Sequence, residues 1–164
     1  MEIEAAARRH LLADNTVNGY LAGRAYAFKL KTLVTPHGHR ALVLYRGNPW
    51  AQTERYEHAG AEFPTLVLDC WSDHSRDGDG EMLHPDRVQN AYALWRAAHN
   101  LIHNQRPGTI WGRSSSNPGV LINTCSLWAG PPHLDGEGHR TGIPVGEAAV
   151  VTAVYALNMA TLTG

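Results

Sequence analysis

Lysine is nearly absent from this 164-residue chain: Lys29 and Lys31 stand against twelve arginines. Charged residues of both signs amount to only 18%, below the usual quarter, and the formal net charge is -1. Affinity for nucleic acid comes mainly from clustered cations that neutralise phosphates. The chain has no basic stretch, which excludes a dedicated DNA-binding role. Cysteine is scarce too. Cys70 and Cys125 sit far apart inside apolar runs, without Cys-x-x-Cys spacing. They read as small buried hydrophobes in a reducing compartment, not as a disulfide frame. No apolar run approaches the ~20 residues that span a bilayer. The Met-Glu-Ile-Glu start lacks the cationic segment and apolar core of a secretion signal, so the expectation is a protein made and assembled in a cytoplasm.

Catalytic signatures are missing as well. There is no Gly-x-Gly-x-x-Gly and no phosphate-binding Lys-Ser/Thr loop. Ser114-Ser115-Ser116 follows Gly112 without forming the Gly-x-Ser-x-Gly elbow of hydrolases. His99 and His103 have the i, i+4 spacing that can put two imidazoles on one metal, but Asn100 stands where a metalloprotease helix carries its general base. A His-metal enzyme is the minor alternative. Asp73, Asp77, Gly78 and Asp79 imitate part of a calcium loop, yet its twelfth position is His84 rather than a bidentate Glu. His37, His39, His133 and His139 lie in polar turns and read as solvated. The expectation is no catalytic residue, no cofactor and no metal.

What the chain does have is 43% hydrophobic residues, five Trp and six Tyr, enough for a real core and for a surface directed at partners. Ile3, Ala6, Ala7, His10 and Leu11 recur at helical spacing, with Asp14-Asn15, Gly19 and Gly23 expected to break that helix. Alternation over 24–31 and the run 41–46 predict two strands around a turn at 35–38. A polar connection over 47–62 leads to a third strand over 63–72, with Leu66, Leu68 and Cys70 on one face and Thr65, Val67, Asp69 and Trp71 on the other. Pro85 and Asp86 open a long helix over 85–105, whose Val88, Ala91, Tyr92, Trp95, Ala98, Leu101 and Ile102 form one apolar stripe. The runs 120–128 and 148–159 are apolar on both faces, as central strands are. The predicted class is α+β: a single mixed or antiparallel sheet of about five strands, the long helix on one face and a short N-terminal helix. The predicted organisation is one domain over 1–164, with a long hairpin arm at about 130–146.

That order of elements resembles the tail terminator (tail completion) proteins of long-tailed bacteriophages. The residues that carry the resemblance are the helix ending Ala6-Ala7-Arg8-Arg9-His10-Leu11-Leu12-Ala13-Asp14, then Gly23-Arg24-Ala25-Tyr26. The strand Phe63-Pro64-Thr65-Leu66-Val67-Leu68-Asp69-Cys70-Trp71 follows, then an acidic loop and Asp86-Arg87-Val88-Gln89-Asn90-Ala91. The resemblance implies a virion structural protein of the tail or neck, forming a homo-oligomeric hexamer ring on the head-proximal end of the tail tube. Such a ring stops tube polymerisation and serves head–tail joining. Its implied partners are the tail tube protein and head–tail connector proteins. DNA only passes through the channel, and no membrane is involved. Another neck, connector or tail-tube ring protein is the alternative within the same class. The acidic run Asp73, Asp77, Asp79 and Glu81 reads as a solvated loop or a channel lining. The arm, stiffened by Pro131, Pro132 and Pro144 and loosened by five glycines, reads as a contact between subunits or rings.

Overall fold

The computed structural model describes residues 2–27, 40–47, 63–73, 87–130, 144–145 and 148–163. In chain order the elements are α1 (Ile3–Leu12), α2 (Asn15–Leu21), β1 (Ala25–Ala27), β2 (Arg40–Arg46), β3 (Thr65–Asp73), α3 (Arg87–Ile102), β4 (Thr109–Trp111), β5 (Val120–Ala129), β6 (Pro144–Val145) and β7 (Ala148–Thr161). The strands form one mixed sheet in the order β1-β2-β3-β7-β5-β4, with β6 alongside the start of β7. The β1–β2 pair is parallel, and the other described pairs are antiparallel. The α+β class, the single sheet and the long helix on one face are as expected. The five anticipated strands correspond to β1, β2, β3, β5 and β7, and the two- and three-residue strands β6 and β4 are additions.

Strand alternation decides which side the helices cover. Leu42 and Leu44 lie opposite Cys70 and Leu68, and Leu66, Leu68 and Cys70 lie opposite Tyr155, Ala153 and Val151. All of these are fully buried and form the sheet side of the core. The helix side comes from Ile3, Ala7 and Leu11 of α1, Val17 and Leu21 of α2, and Ala91, Leu94, Trp95, Ala98 and Ile102 of α3. Leu94 joins the expected α3 stripe, whereas Tyr92 and Leu101 flank it half-buried. A fully buried Leu or Ile contributes about 1.5–3 kcal/mol. An exposed ion pair contributes about 0–1 kcal/mol, so burial holds this layer.

Two sequence expectations need correction. Gly19 does not break the N-terminal region. Asp14 interrupts it and restarts it, its carboxylate accepting from the Thr16 and Val17 backbone N–H groups, both at 2.9 Å. A cap of this kind contributes roughly 1 kcal/mol and offsets the similar cost of Gly19 inside α2. The helix then ends on left-handed Ala22 and Gly23. Second, β5 is not apolar on both faces. Val120, Ile122 and Cys125 are buried, but Thr124 and Ser126 are exposed, because the three helices cover one side of the sheet. The expectation that 148–159 forms a central strand holds: β7 pairs with β3 through its first part and with β5 through its last. The remainder of the strand expected to reach residue 31, the turn at 35–38, most of the 47–62 connection, the acidic loop beyond Asp73 and the arm over 131–143 lie outside the described residues.

Candidate functional site

A connected polar cluster lies where α3 crosses β7 and β5. Helical spacing stacks Tyr92, Trp95 and His99 along one stripe of α3, and His103, in the turn directly after it, continues the stack. Successive ring centroids are 5.1, 4.9 and 4.4 Å apart, and the two imidazoles lie nearly parallel at 18°. Beneath them stands Tyr155, fully buried, its hydroxyl reaching back to the helix. Trp95 Nε1 donates to Tyr155 Oη at 3.1 Å, and His99 Nδ1 lies 2.9 Å from the same oxygen. His103 Nδ1 accepts the backbone N–H of Leu127 at 3.0 Å. Burial pushes the Tyr155 hydroxyl well above its ordinary value, against the smaller opposing effect of the Trp95 bond. Desolvation, helped by the neighbouring His103, lowers His99 below the ordinary imidazole range. Cys70 and Cys125 flank the same tyrosine, and burial drives Cys70 far up and Cys125 to about 12. Thiols so desolvated are neither nucleophiles nor redox centres.

A second cluster joins α1 to β4. Gln105 donates from Nε2 to the Leu101 carbonyl and to His10 Nε2, the latter at 3.1 Å, while its Oε1 accepts from Trp111 Nε1 at 2.6 Å. His10 stacks on Trp111 at 5.1 Å and is lowered by burial, with the Leu101 carbonyl and Asp14 acting the other way. Elsewhere, Arg46 bridges Glu2 at 2.6 Å and the buried Glu4 at 3.3 Å, leaving Glu4 Oε2 without a hydrogen-bond partner. On the opposite side of the sheet, Thr152 donates to Asp69 Oδ1 at 2.7 Å.

Chemically, these groups are occupied with one another. The Nδ1 atom of each imidazole in the His99–His103 pair is engaged in holding Tyr155 or Leu127. Among the described residues no group of three or more His, Cys, Asp or Glu side chains could hold a metal ion. Ser114 Oγ lies 3.4 Å from Arg9 and from Ser116 Oγ, and no imidazole is bonded to either hydroxyl among the described residues. Asp73 ends β3, and its companions in the acidic run lie outside the described residues. Sequence reasoning placed His99, His103 and Trp95 on one helix but missed Tyr155 as the residue that joins them. Its only signal was a large polar-tipped aromatic in a mostly aliphatic strand.

The side of the sheet opposite the helices is the remaining candidate surface. Towards β2 and β3 it is closed, with Val43, Val67 and Val150 buried. Towards β5 it opens. Register shifts after Ile122 and Leu127 insert Asn123 and Trp128 as bulge residues. Trp128 is 58% exposed and is the one large exposed hydrophobic side chain among the described residues.

These features define a class by fold: one mixed sheet, helices on one side, and polar clusters turned inward to bind element to element. No family model and no curated protein matches the chain. Among solved structures, the fold is shared with a chain of the virion of native gene transfer agent (GTA) particle, at 12% identity and a TM-score of 0.54, covering 96% of this chain and 94% of that one. A second solved chain aligns over 99% of this chain and 94% of its own, at 14% identity and a TM-score of 0.45. At 12% identity the first likeness is one of fold.

Proposed function

We propose that the chain is a virion structural subunit and, more specifically, a tail terminator. Identical copies would form a hexameric ring at the head-proximal end of a tail tube, stop its polymerisation and offer a surface to the head's connector, with DNA passing only through the channel. The observation that carries this reading is the fold shared over nearly the whole chain with a protein from a virion particle. The element order that resembles tail terminators favours the finer role.

The inward-turned polar clusters support a non-enzymatic reading. Tyr155 has no exposed surface, and the Nδ1 atoms of His99 and His103 are spent on structural hydrogen bonds. A catalytic group must reach its substrate. The open β5 side of the sheet with Trp128 fits a protein whose work is contact with other subunits, since exposed Trp is favoured at interfaces. Light scattering and negative-stain imaging of the purified protein test this. Closed rings are expected. Long filaments would instead favour a tube subunit, and a monomer at every concentration would overturn the ring.

A further inference from the structure

The stacked imidazoles of α3 do more than fill space. Trp95 already donates to Tyr155 Oη, so the single hydroxyl proton of Tyr155 needs an acceptor, and His99 Nδ1 is the one within reach at 2.9 Å. Leu127 N–H is also a donor, so the His103 Nδ1 that receives it carries no proton. Both rings therefore hold their proton on Nε2 and are neutral. Each uses its bare Nδ1 to tie α3 to a different strand, His99 to β7 and His103 to β5.

The same end of α3 also covers the outer edge of β5 beyond β4. Gly108 N donates to Ile122 O at 2.9 Å, and Asn104 N donates to Cys125 O at 2.7 Å. Leu127 N, two residues further on, goes to His103. The bulge residue Trp128 follows directly. Gly130 then folds back so closely that a Cβ there would lie 2.8 Å from Leu127 Cδ2.

We propose that the His99–His103 pair is an acid-sensitive latch, which pins the C-terminal end of α3 to β5 while both rings are neutral and releases it there when they take up protons. A proton added at Nδ1 of His103 faces the Leu127 N–H, which can only donate, and that hydrogen bond is lost. A proton added at Nδ1 of His99 turns that ring from acceptor to donor towards the Tyr155 oxygen, so this contact reverses direction. Two imidazolium rings with centroids 4.4 Å apart also repel each other. Among the described residues, the other ionisable groups around the pair are Tyr92 on α3, Tyr155 on β7, and Cys70 of β3 and Cys125 of β5 beside Tyr155. None of them carries a charge that would hold an imidazolium in place. Release uncovers the edge of β5 from Cys125 to Leu127 and loosens the bulge that presents Trp128, so acid acts on the open side of the sheet as well as on the helix.

Amide hydrogen exchange of the intact protein at pH 7.5 and pH 5 tests the latch. Protection of Leu127 and Asn104, corrected for intrinsic exchange at each pH, should fall by about tenfold or more in acid, the equivalent of one lost hydrogen bond. In the double variant His99→Asn and His103→Asn, each amide oxygen replaces a bare Nδ1 and cannot be protonated in this range. That variant should keep its protection at pH 5. Unchanged protection in the wild-type protein, or an equal loss in the Asn variant, would overturn the proposal. So would nitrogen-resolved NMR of the unsubstituted protein at pH 7.5 that found a proton on either Nδ1, and this readout holds even if the variant fails to fold.

Discussion

Trp95 and Tyr155 meet across the middle of the helix–sheet interface, 3.1 Å from indole nitrogen to phenolic oxygen. Both groups are withdrawn from water, Tyr155 fully buried and Trp95 8% exposed, so the indole N–H relies on this bond and the hydroxyl on it and on His99. The pair fixes how α3 lies on β7.

Truncating either partner should therefore be costly in a graded way. Trp95→Ala removes a buried aromatic and is expected to cost about 3–5 kcal/mol, on the order of 10 °C in Tm for a chain of this size. Tyr155→Phe keeps the ring but strands the Trp95 donor, and should cost about 1–3 kcal/mol. Thermal melts of both variants check this. An unchanged Tm for Trp95→Ala would mean the stripe does not face the core.

Gly119 should not tolerate a side chain. Its φ is +88°, and a Cβ would lie 2.5 Å from the Trp111 carbonyl oxygen and 2.8 Å from Ile110 Cγ2. Gly119→Ala combines left-handed strain of about 1 kcal/mol or more with a backbone clash. Denaturant unfolding should show a clear loss of stability, whereas Gly108→Ala, with a similar φ but open space around it, should lose less.

Stability should fall in mild acid through His10. Burial lowers its pKa in the folded chain, whereas the unfolded imidazole titrates near its ordinary 6.5. As the pH drops below 6.5 the unfolded state takes up a proton that the folded state resists, so the full contribution is present above 6.5 and is lost on acidification. His10→Phe keeps an aromatic ring against Trp111 and removes the titration. Its stability should depend less steeply on pH between 7 and 5 than that of the wild type. Equal slopes would show that the His10 site does not resist protonation.

Trp128→Ser separates folding from assembly. With 58% of the side chain exposed, its loss should change stability by no more than about 0.5 kcal/mol. If Trp128 anchors a subunit contact, the same change should weaken self-association by roughly 30-fold or more, the mark of an interface hot spot. Sedimentation of the two proteins side by side gives the answer. Undiminished assembly would place the contact elsewhere.

Local pattern sufficed for much of the fold. The 3.6-residue stripe from Ala91 to Ile102 and the two-residue alternation of Leu66, Leu68 and Cys70 each have a single physical solution, so the α3 helix and the inward face of β3 were legible from the chain alone. The absences were legible too, since a missing nucleophile motif or basic run needs no structure to be seen. What only tertiary structure decided were relationships between distant residues. Asp14 turned an expected break into a new helix because its cap coincided with burial of Val17 and Leu21. Short β4 had too few residues to carry a pattern, and formed because Trp111 could be buried against His10 and tied to Gln105. The His99–His103 spacing left a metal chelate as the minor alternative to packing, and did not say what either imidazole would hold. Tyr155 and Leu127, strand residues far along the chain, settled the use of both Nδ1 atoms, because a hydrogen bond depends on which groups meet in space and no one-dimensional spacing records that.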